Sequence, residues 1–539
     1  MGQLLAEFRS RPGPAIIDDG GSSSWCDLND RVDALVAHLD HEGLAPGASV
    51  LVMSPNRREV VEVHLACLEG GWTCVPVNWH FDADDVARVI ADMSAAALVV
   101  DSVLLGLVMG ALDRMSGPPP TTLLVLDGGL GGEGRPEQFR EYERALESAA
   151  GHRTRAPRPA GGIVFSTSGT TGRSRGVRYL SDPDADARAG TPGHESAVVR
   201  YLRPALSAAG IPRAGRTLLC GPHYHWAQWT FGVLPILHGS TLVMHGRFVP
   251  ANVLASIDQQ LITNLLLVPT QFVRMLRLDA GVRASFDGSA LELAVHGAAP
   301  CPPDVKLAMI DWWGPILTEY YGATEGGVIT LMSSEEWQDR PGSVGRPIAA
   351  KEVTIVADDG HLAPPDVDGV VHVRSVEGLM IEYVGAPAAT VATRALPGHI
   401  TFGDMAHLDH DGYLHLSDRR SDMIVTGGVN VASAEVEAVL MQHPAVADAG
   451  VFGIPDTTSG QIVRAAVQLA GGVVDPDDAA AVARVCDELR EFCRERLPAH
   501  QCPAVVEALD QLPRTASGKL VKRKLRAPYW EPHIGPITR

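Results

Sequence analysis

Short runs of Val, Leu and Ile alternate with stretches of helical periodicity from the N-terminus to about residue 300, and this alternation restricts the fold more than any other feature. Residues 29–39 place Val32, Leu35, Val36 and Leu39 on one helical face, with Gly43 as a stop signal. Residues 50–78 hold two apolar runs around a helix-like segment, and residues 264–269 read as a buried strand. Strands that alternate with helices pair in parallel, because each crossover needs a helix to return the chain. From Val353 the pattern changes to strands joined by tight turns, with a hairpin centred on Asp409-His410-Asp411-Gly412. Beyond Arg419 follows a compact segment with helices expected at 434–442 and 485–497 and strands near 449–453 and 465–469. The expected fold class is therefore α/β. A large domain, residues 1–420, combines parallel-rich α/β subdomains with a β-rich one, and a small α+β domain spans 421–539. Residues 418–422 are the expected joint, and the Gly/Pro-rich pieces 116–120, 128–136 and 155–162 are expected connectors.

Composition removes several functional classes. The net charge of −19 opposes binding to nucleic acid or to an anionic membrane. No run approaches the ~18 apolar residues of a membrane span. The start, Met1-Gly2-Gln3-Leu4-Leu5-Ala6, has neither a basic segment nor a long apolar one, so a secretory leader is not expected. Eight cysteines are scattered without CxxC pairs, which points to a reducing, cytoplasmic setting without zinc or disulfides. A homodimer is the oligomeric expectation.

Chemistry concentrates at residues 166–177, Ser-Thr-Ser-Gly-Thr-Thr-Gly-Arg-Ser-Arg-Gly-Val, entered from the apolar run Ile163-Val164-Phe165. Gly169, Gly172 and Gly176 allow close backbone approach to anionic oxygens. Ser166, Thr167, Ser168, Thr170 and Thr171 supply short donors, and Arg173 and Arg175 supply charge in forked geometry. These are the requirements of a polyphosphate grip. No Gly-Lys-Ser/Thr follows at Walker A spacing.

The segment resembles the phosphate loop of the adenylate-forming superfamily, which includes acyl-CoA synthetases, luciferases and peptide-synthetase adenylation domains. Ser174 and Arg175 stand where that loop usually has Pro and Lys. Further segments match the same family in order: Gly221-Pro222-His223-Tyr224-His225, residues 248–272, His296-Gly297-Ala298-Ala299-Pro300, Tyr320-Tyr321-Gly322-Ala323-Thr324-Glu325, Gly342-Ser343-Val344-Gly345-Arg346-Pro347, Thr401-Phe402-Gly403-Asp404, Asp418-Arg419-Arg420-Ser421-Asp422 and Pro513-Arg514-Thr515-Ala516-Ser517-Gly518-Lys519.

The resemblance implies roles residue by residue. Thr167, Ser168, Gly169, Thr170, Thr171, Gly172 and Arg175 would hold the ATP phosphates. Lys519, Glu325, Thr324 and His225 would form the catalytic set, with Glu325 and Thr170 as Mg²⁺ ligands. Gly297, Ala298, Ala299, Tyr321, Gly322, Asp404 and Arg419 would receive adenine and ribose. His225, Trp226, Gly326 and Gly327 would line the acyl pocket, Gly427 and Gly428 the thiol path, and Ser421 the hinge of a mobile lid. The implied activity makes an acyl-adenylate from ATP and a carboxylic acid, expels pyrophosphate, and passes the acyl group to CoA.

Charge compensation dominates that chemistry, because an anionic nucleophile must approach a polyanion. Three departures, Arg175, Ser421 and Ser433, keep open an amine or other nitrogen acceptor in place of CoA. Trp226 favours an aromatic or medium-length acid, whereas the text from Ala299 to Gly314 resembles bacterial fatty-acyl-CoA synthetases and favours a longer chain. A non-catalytic nucleotide-binding relative is the remaining alternative, and the presence of Glu325, Asp404, Arg419 and Lys519 argues against it.

Overall fold

The computed structural model describes residues 5–126, 138–150, 160–167, 175–180, 196–357, 359–378, 380–394, 396–419, 422–426, 429–456, 459–475, 477–514 and 520–530, with backbone only at 418, 419 and 430. Two large sheets carry the parallel pattern the sequence predicts. The first runs in the order 380–383, 175–180, 162–167, 73–76, 49–53, 95–101, 122–126, 140–141, and is parallel from Gly162–Thr167 onward. The second runs 346–347, 327–333, 317–323, 293–297, 264–267, 216–219, 241–244, 14–18, 21–24, parallel through its centre and antiparallel at both edges. Strands buried on both faces read as continuous apolar runs, as in Ser49–Met53 and Leu293–Gly297, each buried at every position.

The change in pattern at Val353 marks a separate antiparallel sheet of Lys351–Val356, Gly369–Ser375, Asp404–Leu408 and Leu414–Arg419. Its last two strands are the expected hairpin. The C-terminal segment is α+β as expected, with the long hairpin Val446–Asp456/Gly460–Leu469 and the helices Ser433–Met441, Ala479–Arg494 and Lys522–Trp530.

Element ends differ from the sequence reading where caps decide them. The first long helix is Trp25–His41, not 29–39, because Ser24 and Asp27 form a reciprocal capping box. The Asp478 carboxylate caps the helix Ala479–Arg494 by accepting from the Ala480 and Ala481 N–H groups, which starts the helix six residues ahead of the expected position. The expected connector 128–136 and most of 155–162 lie outside the described residues, and Gly162 already belongs to a strand.

Candidate active site

Among the described residues, Gly297, Thr324 and Glu325 stand at the C-terminal ends of the adjacent parallel strands Leu293–Gly297 and Leu317–Ala323, where α/β sheets bind ligands. Gly162–Thr167 and Arg175–Leu180 form an antiparallel pair with Thr167 opposite Arg175, so the two described ends of the phosphate-loop sequence stand side by side. Ser168, Gly169, Thr170, Thr171 and Gly172 lie outside the described residues. The Arg175 guanidinium sits 5.6 Å from the centre of the Tyr383 ring. Gly176 corrects the sequence reading. It is buried in a strand without a positive φ, and a Cβ there would stand 2.3 Å from Met93 Cε and 2.7 Å from Val164 Cγ1. Glycine at 176 serves packing, not anion approach.

Strand Leu317–Ala323 ends in the turn that carries Thr324 and Glu325, and Gly327–Ser333 returns antiparallel. Three tyrosines from other elements hold this turn. The Tyr383 hydroxyl donates to Glu325 Oε1 at 2.6 Å, Tyr179 donates to the Thr324 carbonyl at 2.6 Å, and Tyr201 donates to the Glu325 carbonyl at 3.1 Å. Burial pushes the hydroxyl pKa of Tyr179 and of Tyr201 well up, with the Glu325 charge adding to it, so both remain protonated donors. A buried carboxylate fixed at one oxygen is a rigid hard-oxygen donor. It can accept several partners at once, which fits a divalent cation.

The neighbouring strand Leu293–Gly297 delivers Gly297, Ala298 and Ala299. A Cβ at Gly297 would lie 2.4 Å from the Tyr320 carbonyl, so only glycine lets these strands approach. Ala298 has φ +68°, a left-handed conformation that non-glycine residues adopt at a cost of about 1 kcal/mol or more. Such strain is stored at sites the surrounding structure over-determines. The Tyr321 hydroxyl donates to Asp404 Oδ2 at 2.8 Å, and Asp404 faces Arg419 directly across their antiparallel strands. Tyr321, Asp404 and the Arg419 backbone are therefore brought together, with Gly322 next to Tyr321 in its strand.

His225 and Trp226 begin a helical segment at the end of strand Arg216–Leu219. The Trp226 indole is buried edge-on to Tyr320, with ring centres 5.8 Å apart, and Cη2 would lie 3.1 Å from a Cβ at Gly322. Gly326 packs on Ile329 and Phe402. Gly327, at φ +62°, packs on Tyr201, whose Cε1 would be 2.9 Å from a Cβ there. Trp226 and Tyr201 thus pack on Gly322 and Gly327, on either side of the Thr324–Glu325 turn. His223 takes no part in it. It is buried, its Nε2 donates to the Ser54 carbonyl at 3.0 Å, and its backbone N–H donates to Asn56 Oδ1 at 3.0 Å. Burial lowers its pKa to about 4, so it is a neutral tie between the two large sheets.

Lys519, Gly427, Gly428 and Ser421 lie outside the described residues, as does the Arg419 side chain. The base of the Lys519 loop is described. Arg514 and Leu520 form an antiparallel bridge, the Val521 N–H donates to the Pro513 carbonyl at 2.7 Å, and Arg514 Nε donates to Asp448 Oδ2 at 2.6 Å. Ser433, one of the departures, is fully buried and accepts from Lys522 Nζ, which also pairs with Glu437 at 2.9 Å. Sequence reasoning missed Tyr179, Tyr201 and Tyr383. Each meets the Thr324–Glu325 turn across 58 to 145 residues of chain, a separation that no local pattern encodes.

A family model described as AMP-binding enzyme matches residues 8–384, and the model of the AMP-binding enzyme C-terminal domain matches 435–519. The chain is 31% identical over 529 residues, 95% of each protein, to a methyl-dioxo-octahydroindenyl-propanoyl:CoA ligase of Rhodococcus jostii. It is 29% identical over 535 residues, 96% of each protein, to a feruloyl-CoA synthase from Amycolatopsis. Among solved structures, the amide bond synthetase of Marinactinospora thermotolerans superposes with a TM-score of 0.78 at 27% identity, covering 98% of this chain and 99% of that one.

Proposed function

The chain belongs to the AMP-binding enzymes, and from that premise we propose that it joins a ring-bearing carboxylic acid to CoA through an acyl-adenylate. It is an ATP-dependent, AMP-forming ligase. The observation that carries the reading is the Thr324–Glu325 turn, fixed by three tyrosine hydroxyls beside the Tyr321–Asp404 pair. A carboxylate oxygen attacks the α-phosphorus of ATP, the α–β bridging bond breaks, and pyrophosphate leaves. The CoA thiolate then attacks the acyl carbon and expels AMP.

Bound Mg²⁺ would neutralise charge building on the phosphates, and Glu325 with Thr170 would hold it. Thr324 would donate to the α-phosphate, and Thr167, Ser168, Gly169, Thr171, Gly172 and Arg175 would grip the β- and γ-phosphates. Asp404 and Arg419 would take the ribose hydroxyls, while Gly297, Ala298, Ala299 and Gly322 would offer a flat wall to adenine. Lys519 would meet the α-phosphate during adenylation. Rotation of residues 421–539 about Ser421 would then withdraw Lys519 and bring Gly427 and Gly428 to the thiol path.

A ring-bearing acid is supported by the buried edge of Trp226, and by the feruloyl and bicyclic propanoyl groups in the names of two relatives. The fatty-acyl likeness around Cys301 supports a medium or long chain less directly. All eight cysteines are free thiols, which supports a cytoplasmic setting, and no helix of the described residues is long and apolar enough to cross a membrane. A nitrogen acceptor is the second reading, favoured by the likeness to an amide bond synthetase along the whole chain. Pyrophosphate and AMP release are measured over a panel of acids with CoA, with an amine, or with neither. Faster AMP release with CoA supports the thioester reading, and acceleration by the amine alone overturns it.

A further inference from the structure

Lys351 opens the strand Lys351–Val356 on the face that buries Ile355, where the strand pattern calls for an apolar residue. Only 5% of the lysine is exposed. Among the described residues its Nζ has no hydrogen-bond acceptor and no carboxylate within ion-pair distance, and it lies 3.5 Å from the centre of the Tyr201 ring. The nearest acid, Glu377, is paired instead with Arg200 at 3.8 Å. Tyr201 is also the ring that packs on Gly327 and donates to the Glu325 carbonyl, so the lysine lies against the aromatic ring that borders the Thr324–Glu325 turn.

An unpaired ammonium in the interior is destabilising, and a Leu or Met would fill the same volume without that cost. Retaining the lysine there calls for a partner that arrives from outside. We propose that Lys351 and Tyr201 form the closed end of the acyl pocket and that the acid activated here carries a second carboxylate, which the lysine receives. The inference rests on the carboxylate-activating reading above and adds the substrate class. One carboxylate of the dicarboxylic acid stands at the α-phosphate, and the other ends against the Lys351 ammonium and the positive edge of the Tyr201 ring. Without the acid, burial pushes the Lys351 pKa down to about 7 against the pull of Glu377. A carboxylate at contact distance restores the charged form.

The test uses the full-length enzyme with aromatic monocarboxylic acids and the same acids bearing a second carboxylate on a side chain or at each ring position. Pyrophosphate release gives kcat/KM for each. The expected result is a preference of about tenfold or more for one of the dicarboxylates, the usual size of a charge-assisted contact. In Lys351→Met that preference collapses toward unity through KM, and Lys351→Arg restores part of it. Should Lys351→Met fail to fold, the parent's own ranking still decides. A parent that activates monocarboxylic acids as well as every dicarboxylate overturns the inference and leaves the ligase reading standing. Release with neither series removes both.

Discussion

Removing one oxygen atom, in Tyr383→Phe, tests whether the Thr324–Glu325 turn is held by its tyrosines for catalysis. The ring stays, so the stacking on Arg175 at 5.6 Å and the backbone pairing of Tyr383 with Val177 are kept. What disappears is a 2.6 Å hydrogen bond to Glu325 Oε1. Hydrogen bonds to a charged group contribute about 1.5–3 kcal/mol. If that energy serves to aim the carboxylate at the metal in the transition state, adenylation slows by about 10- to 100-fold. Tyr201→Phe removes a longer bond to a neutral carbonyl, 3.1 Å, for which about 1 kcal/mol and a severalfold loss are expected. The assay is pyrophosphate release at saturating acid, titrated with magnesium. Tyr383→Phe should need more magnesium to reach half its maximum, while the thermal midpoint stays near the parent's. A variant within threefold of the parent at limiting magnesium, or one losing activity only in step with stability, refutes the reasoning.

Three further outcomes are expected. Tyr321→Phe and Asp404→Ala should each weaken ATP binding, and Asp404→Ala should no longer distinguish ATP from its 2′,3′-dideoxy analogue. Equal ATP affinity in mutant and parent removes the ribose assignment. Lys519→Ala should abolish most pyrophosphate release while a pre-formed acyl-adenylate still reacts with the acceptor; equal loss of both half-reactions contradicts the moving-lid reading. Lys351→Met should change stability in a pH-dependent way. The folded-state pKa, about 7, lies below the ordinary 10.5, so the folded protein binds fewer protons between those values and the penalty of the buried charge grows as pH falls from 10.5 to 7. The variant should gain on the parent by about 3–4 kcal/mol across that window. Among the described residues, Tyr201 and Glu377 act on the lysine and Arg200 pairs with Glu377, so parallel urea-midpoint curves for the two proteins refute the shift.

What the sequence made legible follows from which interactions are local. The alternation of apolar runs and helical periods reports directly on burial of both sheet faces, and the two large parallel-rich sheets and the antiparallel change at Val353 appear where it places them. Helix starts were legible only through their caps, and Ser24-Trp25-Cys26-Asp27 was a readable signal that the apolar spacing alone passed over. The glycine at 176 shows the opposite error. In a loop rich in glycine its neighbours suggest anion contact, yet the residue that decides its identity is Met93, on a different strand–helix unit.

The same reasoning separates the site into two kinds of residue. Thr324, Glu325, Tyr321 and Asp404 sit in short segments whose order is itself a signal, and they come together at strand ends. Tyr179, Tyr201, Tyr383 and Lys351 act from separate elements, and each taken alone is an unremarked residue of a strand or helix. Tyr201 packs on Gly327 and Lys351 on Tyr201, so the residues proposed to choose the acid are ones that local sequence leaves unspoken. Activating a carboxylate makes the same demands whichever acid is bound, and those demands fall on short contiguous segments. Selecting one acid depends on side chains that meet only after the large sheets and the antiparallel sheet have packed, which is why the reaction can be read from the chain before its substrate.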